Sequence, residues 1–298
     1  MKALITVGGG LGDVVMATPT VAAVRSMGYI CDVLIKPDIA ISSVIFEGWN
    51  AVRHVFTTRT PSEGSKYDAV VRTWWHQDFK LDCGPEFVPG KHDLTIEHES
   101  EACLASARAL GFIGDIPSTH VQVPGCTLDM PENFVALCPG FSGKSGRSFW
   151  DRKRWDYWEE FVSHHPDTWF VILGSPVDYR DYGNLKSNNC INMTGLTTLG
   201  DAISIISKAN FVVAVDNGLS HIAAALDKYT FVLYGATSEF KNRPLGSRAI
   251  IITSSVSCRP CQMTPAWNKC REYDCMRLLS PKHVWEEIEA EGILENAR

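Results

Sequence analysis

Two short apolar runs, each ending in a glycine-bearing turn that opens directly into a helix of small residues, constrain this chain more than any other feature. Ala3–Val7 enters Gly8-Gly9-Gly10-Leu11-Gly12-Asp13, and Asp13 to Met27 reads as a helix with small residues on one side. Val212–Val215 enters Asp216-Asn217-Gly218-Leu219-Ser220-His221, and Ile222–Leu226 continues as a second small-residue helix. A run that is apolar throughout, rather than alternating, fits a strand covered on both faces, and strand, turn and helix together form the repeating unit of a parallel sheet. The carboxyl end of such a strand is also where α/β folds bind ligands.

The same rhythm fills the chain. Cys31–Ile35, Ala51–Phe56 and Tyr67–Arg72 supply further strands in the first part; Phe134–Cys138, Trp169–Leu173, Phe211–Val215 and Thr230–Tyr234 do so in the second. Helices are expected over Trp155–His164, Leu199–Lys208 and Leu219–Leu226. This alternation predicts an α/β fold with parallel sheets. The stretch from Pro117 to Pro131 is rich in Pro, Gly and Thr, lacks periodicity and reads as a linker, which divides the 298 residues into 1–125 and 126–298. Two domains suit that length, at about 100–200 residues each. Pro281–Glu291 has the pattern of an amphipathic helix, with Val284 and Ile288 four residues apart, and could pack on either half.

Charge and hydropathy narrow the function classes. The net charge of −6 has the wrong sign for bulk nucleic-acid binding. No run of about 18 apolar residues occurs, so no membrane span is expected. Met1–Val7 is too short for the apolar core of a signal peptide, which makes the cytoplasm the expected compartment, where thiols stay reduced or bind metals. One segment departs from the acidic average: Lys144–Trp155 holds five basic residues and one acid. Lys144, Arg147, Arg152, Lys153 and Arg154 are either a solvated face or the partner of a small anion.

The first loop is neither a dinucleotide fingerprint nor a Walker loop, since Asp13 stands where the third glycine would fall and no Gly-Lys-Ser/Thr follows. Gly10 and Gly12 still let the backbone approach an anion at a helix start. Asp13 either caps the helix or accepts a proton or a sugar hydroxyl. In the second loop Gly218 permits close approach, and the amides of Gly218, Leu219 and Ser220 point out of the helix start, where a diphosphate fits. His221 is structural or functional. Tyr234-Gly235-Ala236-Thr237-Ser238 is a further glycine-bearing loop after a strand, and two such loops side by side describe a nucleotide site.

These pieces, in this order, resemble glycosyltransferase family 9, the ADP-heptose:lipopolysaccharide heptosyltransferase-like proteins. The resemblance rests on Gly12-Asp13-Val14-Val15-Met16-Ala17-Thr18-Pro19, on Lys153-Arg154-Trp155 and, most specifically, on Asp216-Asn217-Gly218-Leu219-Ser220-His221-Ile222-Ala223-Ala224-Ala225-Leu226. It implies the GT-B architecture: two Rossmann-like domains facing across a cleft, with a C-terminal helix crossing back to the first. It implies that Asp13 is the catalytic base, that Lys153 binds phosphate, and that Asp216–His221 with Gly235 holds the donor, while Gly10, Gly12, Lys144 and Arg147 serve the phosphate and acceptor loops. The family usually has Thr where this chain has Asn217, and often Pro where it has Asp156. Residues 1–125 would be the acceptor side and 126–298 the nucleotide-sugar side.

The implied chemistry is coherent. Transfer needs a base near the incoming hydroxyl and stabilisation of the departing diphosphate. No Asp-x-Asp occurs in the chain, so Lys153 and the helix start at Gly218 are expected to replace a divalent metal, which predicts inverting, metal-independent transfer. The donor is expected to be ADP-heptose or a similar nucleotide-sugar, and the acceptor a glycan, glycolipid or protein. Alternatives are a nucleotide-sugar epimerase or hydrolase, or a noncatalytic nucleotide-sugar-binding protein. Cys258, Cys261, Cys270 and Cys275 are spaced C-x2-C-x8-C-x4-C, which suits a structural zinc or iron site or, failing that, a loop of reduced or paired thiols.

Overall fold

Ala3, Leu4, Ile5 and Val7 are buried to 0% exposure, as their unbroken apolar run requires, and they form the central strand of a sheet. The structure is a computed structural model that describes residues 1–57, 66–73, 81–89, 97–125, 128–141, 150–262 and 264–294. Two compact units are present: Met1–Val123 with Phe240–Gly246, and Pro124–Glu239 with Ser247–Arg298.

In the first unit five strands form a parallel sheet: β1 (Lys2–Val7), β2 (Ile30–Ile35), β3 (Val52–Phe56), β4 (Ala69–Arg72) and β5 (Glu86–Phe87), in the order β3-β2-β1-β4-β5. Helix α1 (Leu11–Ser26) follows β1 through the glycine loop. It contains Pro19, which has no N–H to give the carbonyl of Val15; the Thr18 hydroxyl donates to that carbonyl instead at 2.7 Å, so the helix runs on. Helix α2 (Glu99–Ala109) packs against α1 and β4. A buried polar knot ties the sheet edge: Asp32, on β2, accepts from Arg53 on β3 and from Tyr67. Those bonds hold the Asp32 carboxyl below its ordinary value although burial opposes them.

The second unit contains a six-stranded parallel sheet: β6 (Val135–Cys138), β7 (Phe170–Ile172), β8 (Cys190–Asn192), β9 (Phe211–Val215), β10 (Thr230–Tyr234) and β11 (Ala249–Thr253), in the order β11-β10-β9-β6-β7-β8. The strand order changes direction between β6 and β9, so the loops leaving those two strands diverge and open a crevice. The larger helices of this unit are α3 (Trp158–Ser163), α4 (Leu199–Lys208), α5 (Gly218–Ala225) and α6 (Pro281–Ala290). Helix α3 begins later than the sequence pattern suggests. Trp155 is spent on the core instead: it is fully buried, donates from its indole to the carbonyl of Leu279 at 2.7 Å, and stands edge-on to Trp158 at 4.8 Å.

The C-terminal helix carries the apolar stripe read from sequence. Val284 and Ile288 are fully buried in the core of the second unit, and Trp285 packs on Phe161 and Phe211 and stacks on His165. An amphipathic pattern fixes that a face is buried, not which core receives it. The segment of the second half that does belong to the first unit is Phe240–Gly246. Within that unit His98, the N-cap of α2, donates from Nε2 to the carbonyl of Arg243 at 2.8 Å, and Thr119 donates to the carbonyl of Leu245 at 3.5 Å. Among the described residues no helix is long and apolar enough to cross a membrane. Ile288→Ala is expected to cost about 2–5 kcal/mol, the range for removing a buried isoleucine side chain, measured by urea unfolding.

Candidate functional site

Asp13 stands in the first turn of α1, where its sequence placement allowed both a capping and a chemical role. The structure gives it the capping bond: its carboxylate accepts from the Gly10 amide at 2.5 Å, Gly10 being the N-cap of α1. Gly12 lies in the same first turn. Gly9 enables the arrangement. Its φ is +85°, a region that favours glycine, and a Cβ there would lie 2.3 Å from Asp13 Oδ2. In the sequence nothing sets Gly9 apart from the glycines on either side of it.

Two residues that no motif announces, Glu99 and Lys241, pair in the same unit. Glu99, the first residue of α2, is 3% exposed and lies within the electrostatic reach of Asp13. Lys241, from the Phe240–Gly246 segment, places its ammonium 3.4 Å from Glu99 Oε1 and is itself buried. Burial and the Asp13 charge push the Glu99 carboxyl up to about 8, against the lowering effect of Lys241. Neither residue sits in a recognisable motif, and tertiary packing brings Lys241 onto Glu99.

In the second unit the crevice between β6 and β9 is framed by Asn217. As the N-cap of α5, its Oδ1 accepts from the Ser220 amide at 3.0 Å, while its Nδ2 donates to the carbonyls of Cys138 and Gly140 at 2.8 and 2.7 Å. The side chain is thus fully engaged in joining the two diverging loops. The first-turn amides of Gly218 and Leu219 have no acceptor within the helix and lie partly exposed at its open end. That is the anion-binding end of a helix dipole. Ser220 returns its hydroxyl to the Asn217 carbonyl at 2.7 Å.

Lys153 is the cation of this crevice. It closes a short 3-10 turn, Asp151–Lys153, and its ammonium lies 2.9 Å from Asp216 Oδ2, donates to the Asp216 carbonyl at 3.0 Å and stands 4.5 Å over the ring of Trp150. Asp216 is 2% exposed and also accepts from the Tyr234 hydroxyl at 3.2 Å. β9 and β10 are in register at Val215 and Leu233, so the next residue of each, Asp216 and Tyr234, meet at the strand ends. Burial would raise the Asp216 carboxyl, but the charge and hydrogen bond of Lys153, helped by His221 and Thr237, outweigh it and hold it below its ordinary 3.8. His221 is buried in the first turn of α5.

Gly235 and the cysteine segment form one packing unit behind these loops. A Cβ on Gly235 would lie 2.5 Å from the Met276 sulfur and 3.1 Å from Cys275 Sγ, so this glycine serves close packing against the cysteine segment. Cys258, Cys261, Cys270 and Cys275 do line one cavity. The thiols of Cys261 and Cys275 are pushed up by burial and then by the neighbouring cysteines, Cys275 to about 11, which keeps them protonated near neutral pH. Among the described residues no three His, Cys, Asp or Glu side chains are disposed to hold a metal ion. The structural zinc or iron expected from the spacing is therefore not supported by this donor set. Arg152, beside Lys153, lies 4.9 Å over Trp267 and 5.7 Å from Tyr273, fastening the cationic turn to the same segment. Lys144 and Arg147 lie outside the described residues.

A family model described as glycosyltransferase family 9 (heptosyltransferase) matches residues 90–271. Lipopolysaccharide heptosyltransferase 2 of Escherichia coli K12 is 27% identical over 190 residues, 57% of this chain and 50% of that protein. The chain spans half or less of the length of the curated relatives it matches. Among solved structures, E. coli ADP-heptose lps heptosyltransferase II superposes with a TM-score of 0.73 at 19% identity, covering 100% of both chains. TibC of enterotoxigenic E. coli, an iron-containing dodecameric glycosyltransferase, superposes at 0.66 and 14% identity, covering 99% of this chain and 76% of its own. Such identities establish the shared α/β fold, of the GT-B type. With a parallel sheet in each unit, and a family model that spans more than half of its length, the chain belongs to glycosyltransferase family 9.

Proposed function

We propose that the chain moves a sugar, a heptose, from an ADP-linked donor to an acceptor hydroxyl on a glycan, glycolipid or protein, with inversion and without a catalytic metal ion. The observation that carries this reading is Lys153, a cation held at the open end of α5 by a carboxylate that a phosphate can replace. The donor diphosphate would take the place of the Asp216 carboxylate on the Lys153 ammonium and accept from the Gly218 and Leu219 amides. Charge developing on the leaving group then meets a cation and a helix dipole already in place. Nucleotide-sugar binding is assigned to residues 126–298, where Lys144 and Arg147 extend the basic sequence around Lys153, and the acceptor side to residues 1–125. The names of the relatives, heptosyltransferases, support the donor class.

Asp13 supplies the base. A carboxylate is too weak to ionise a sugar alcohol in advance, so proton transfer to Asp13 accompanies attack on an anomeric carbon of oxocarbenium character, as in glycoside hydrolysis. The acceptor oxygen bonds to the anomeric carbon, the bond to the diphosphate breaks, and the leaving group takes that electron pair. The cysteine segment contributes rigidity to the cationic turn and takes no part in the chemistry.

Three outcomes test this. Asp13→Asn is expected to lower turnover at least about 10³-fold while donor binding, read by calorimetry with ADP-heptose, stays within about twofold; undiminished turnover defeats the base assignment. Lys153→Met leaves Asp216 buried without its cation, so it should lose about 3 kcal/mol in urea unfolding at pH 7 and weaken the donor complex. Adding Asp216→Asn to it should restore much of the stability and none of the donor affinity. Because the Asp216 carboxyl is lowered in the folded state, the stability it gives is intact above about 3.8 and lost as pH falls through the folded value, so the penalty of Lys153→Met should shrink in acid. Turnover should be unchanged in excess chelator; a strict Mg²⁺ requirement rules out the metal-independent reading.

A further inference from the structure

We propose that Trp150 is the positioning residue of Lys153: the face of its indole ring holds the ammonium at the point where the leaving group of the transfer gathers charge. The proposal rests on the reading of Lys153 as the cation for the donor diphosphate. Trp150 is the N-cap of the 3-10 turn Asp151–Lys153. Such a turn has three residues per revolution, so side chains three apart eclipse each other. That spacing brings the ring of Trp150 and the ammonium of Lys153 together, with Nζ 4.5 Å from the ring centroid. This is well inside the distance at which the negative face of an indole attracts a cation. Arg152, on another side of the same turn, lies over Trp267 at 4.9 Å instead.

Two walls of different chemistry enclose the ammonium. Asp216 makes two contacts, through its carboxylate at 2.9 Å and its main-chain carbonyl at 3.0 Å. The ring takes a further side, and the Lys153 side chain is left only 13% exposed. A carboxylate neutralises the cation, and a phosphate can take its place. An indole face attracts the cation without neutralising it and offers nothing for a phosphate to displace. When the diphosphate replaces the Asp216 carboxylate, the ring and the Asp216 carbonyl are what remain to fix the ammonium. Lysine has a flexible four-carbon stem, so without the ring the ammonium would follow the phosphate and meet it elsewhere. Donor binding would survive that shift. The cation would no longer be waiting where charge develops, and the cost of rearrangement would fall on the transfer step.

The ring is itself held. Trp267, 3% exposed, meets it edge to face, with centroids 6.0 Å apart and planes at 79°. The same Trp267 carries the Arg152 guanidinium, which also lies 5.7 Å from the ring centroid of Tyr273. One buried indole thus fastens the turn through two of its residues, and Trp150 packs against the core of the second unit. Trp150, Lys153, Asp216 and Trp267 all belong to that unit, so the placement of the cation is a property of the unit by itself.

The test replaces Trp150, in the whole chain, by tryptophan carrying one, two or three ring fluorines, which drain electron density from the ring face and leave its shape nearly unchanged. Without ligand, Tm should fall by at least about 1 °C from the plain to the trifluorinated ring and stay level in a Lys153→Met background. Should Lys153→Met not fold, Lys153→Met with Asp216→Asn serves as that background. A series that is level in both backgrounds overturns the contact. When ADP is added, the tryptophan emission of wild type should change, and most of that change should be lost in Trp150→Phe. Equal changes in the two overturn the placement of the diphosphate beside this ring. In turnover, Trp150→Ala should lower kcat about 10-fold with the donor KM within about twofold, and Trp150→Phe, which keeps a ring, should recover most of it. A loss carried by KM rather than kcat, or one that Trp150→Phe does not recover, overturns the positioning role. Should Trp150→Ala not fold, the fluorinated series and the emission decide alone. The fluorinated series needs no substrate. If it falls as expected and Lys153→Met binds ADP-heptose as wild type does, the donor reading fails and only the indole–ammonium pair stands; if it is level and Lys153→Met loses donor affinity, the positioning role fails and the donor reading stands.

Discussion

The Asn217 side chain spans the one place where the second sheet cannot hold itself together. β6 and β9 are neighbours, but the strands built outward from them run to opposite edges, so the loops at their carboxyl ends separate. Asn217 donates to the carbonyls of Cys138, the last residue of β6, and of Gly140 beyond it, and accepts from the third amide of α5. One amide group therefore fixes the width of the crevice, the start of the helix and, through its chain neighbour Asp216, the carboxylate on which Lys153 rests. Threonine, the usual family residue here, could cap the helix through its hydroxyl but has no amide to reach both carbonyls. Asn217 is better understood as the joint of this crevice than as a contact to ligand.

The first unit solves a related problem with a glycine. Asp13 can turn back onto the Gly10 amide only because Gly9 has no Cβ and adopts a positive φ. The cap takes one carboxylate oxygen and sets the orientation of the group, so it is compatible with the role proposed for Asp13. The strand order of the first unit, β3-β2-β1-β4-β5, also reverses direction at β1, so this loop too leaves the sheet where its neighbours part.

What was legible in the sequence was what local physics writes there. The apolar runs Ala3–Val7 and Phe211–Val215 have no exposed alternative and became central strands; the turns after them are marked by glycine, and the pattern Asp216–Leu226 is contiguous. Val284 and Ile288 announced a buried stripe, but two cores could have accepted it, and only packing chose the second. Glu99 and Lys241 were illegible for a different reason. Each is an ordinary charged residue in a charged neighbourhood, and what distinguishes them is burial beside Asp13. The four cysteines show the reverse failure: their spacing was conspicuous and they do share a cavity, yet spacing along the chain does not bring thiols into a ligating arrangement.

Both clusters share one electrostatic design. Lys153 with Asp216 is one buried cation on one buried carboxyl, and Lys241 with Glu99 is another. Neutrality is what lets such groups be withdrawn from water without a large penalty. It also sets how the first responds to a substrate. On the function proposed above, a diphosphate would compete for a cation already in position, so its binding would exchange one ion pair for another and leave Asp216 to its hydrogen bond from Tyr234 and to Thr237.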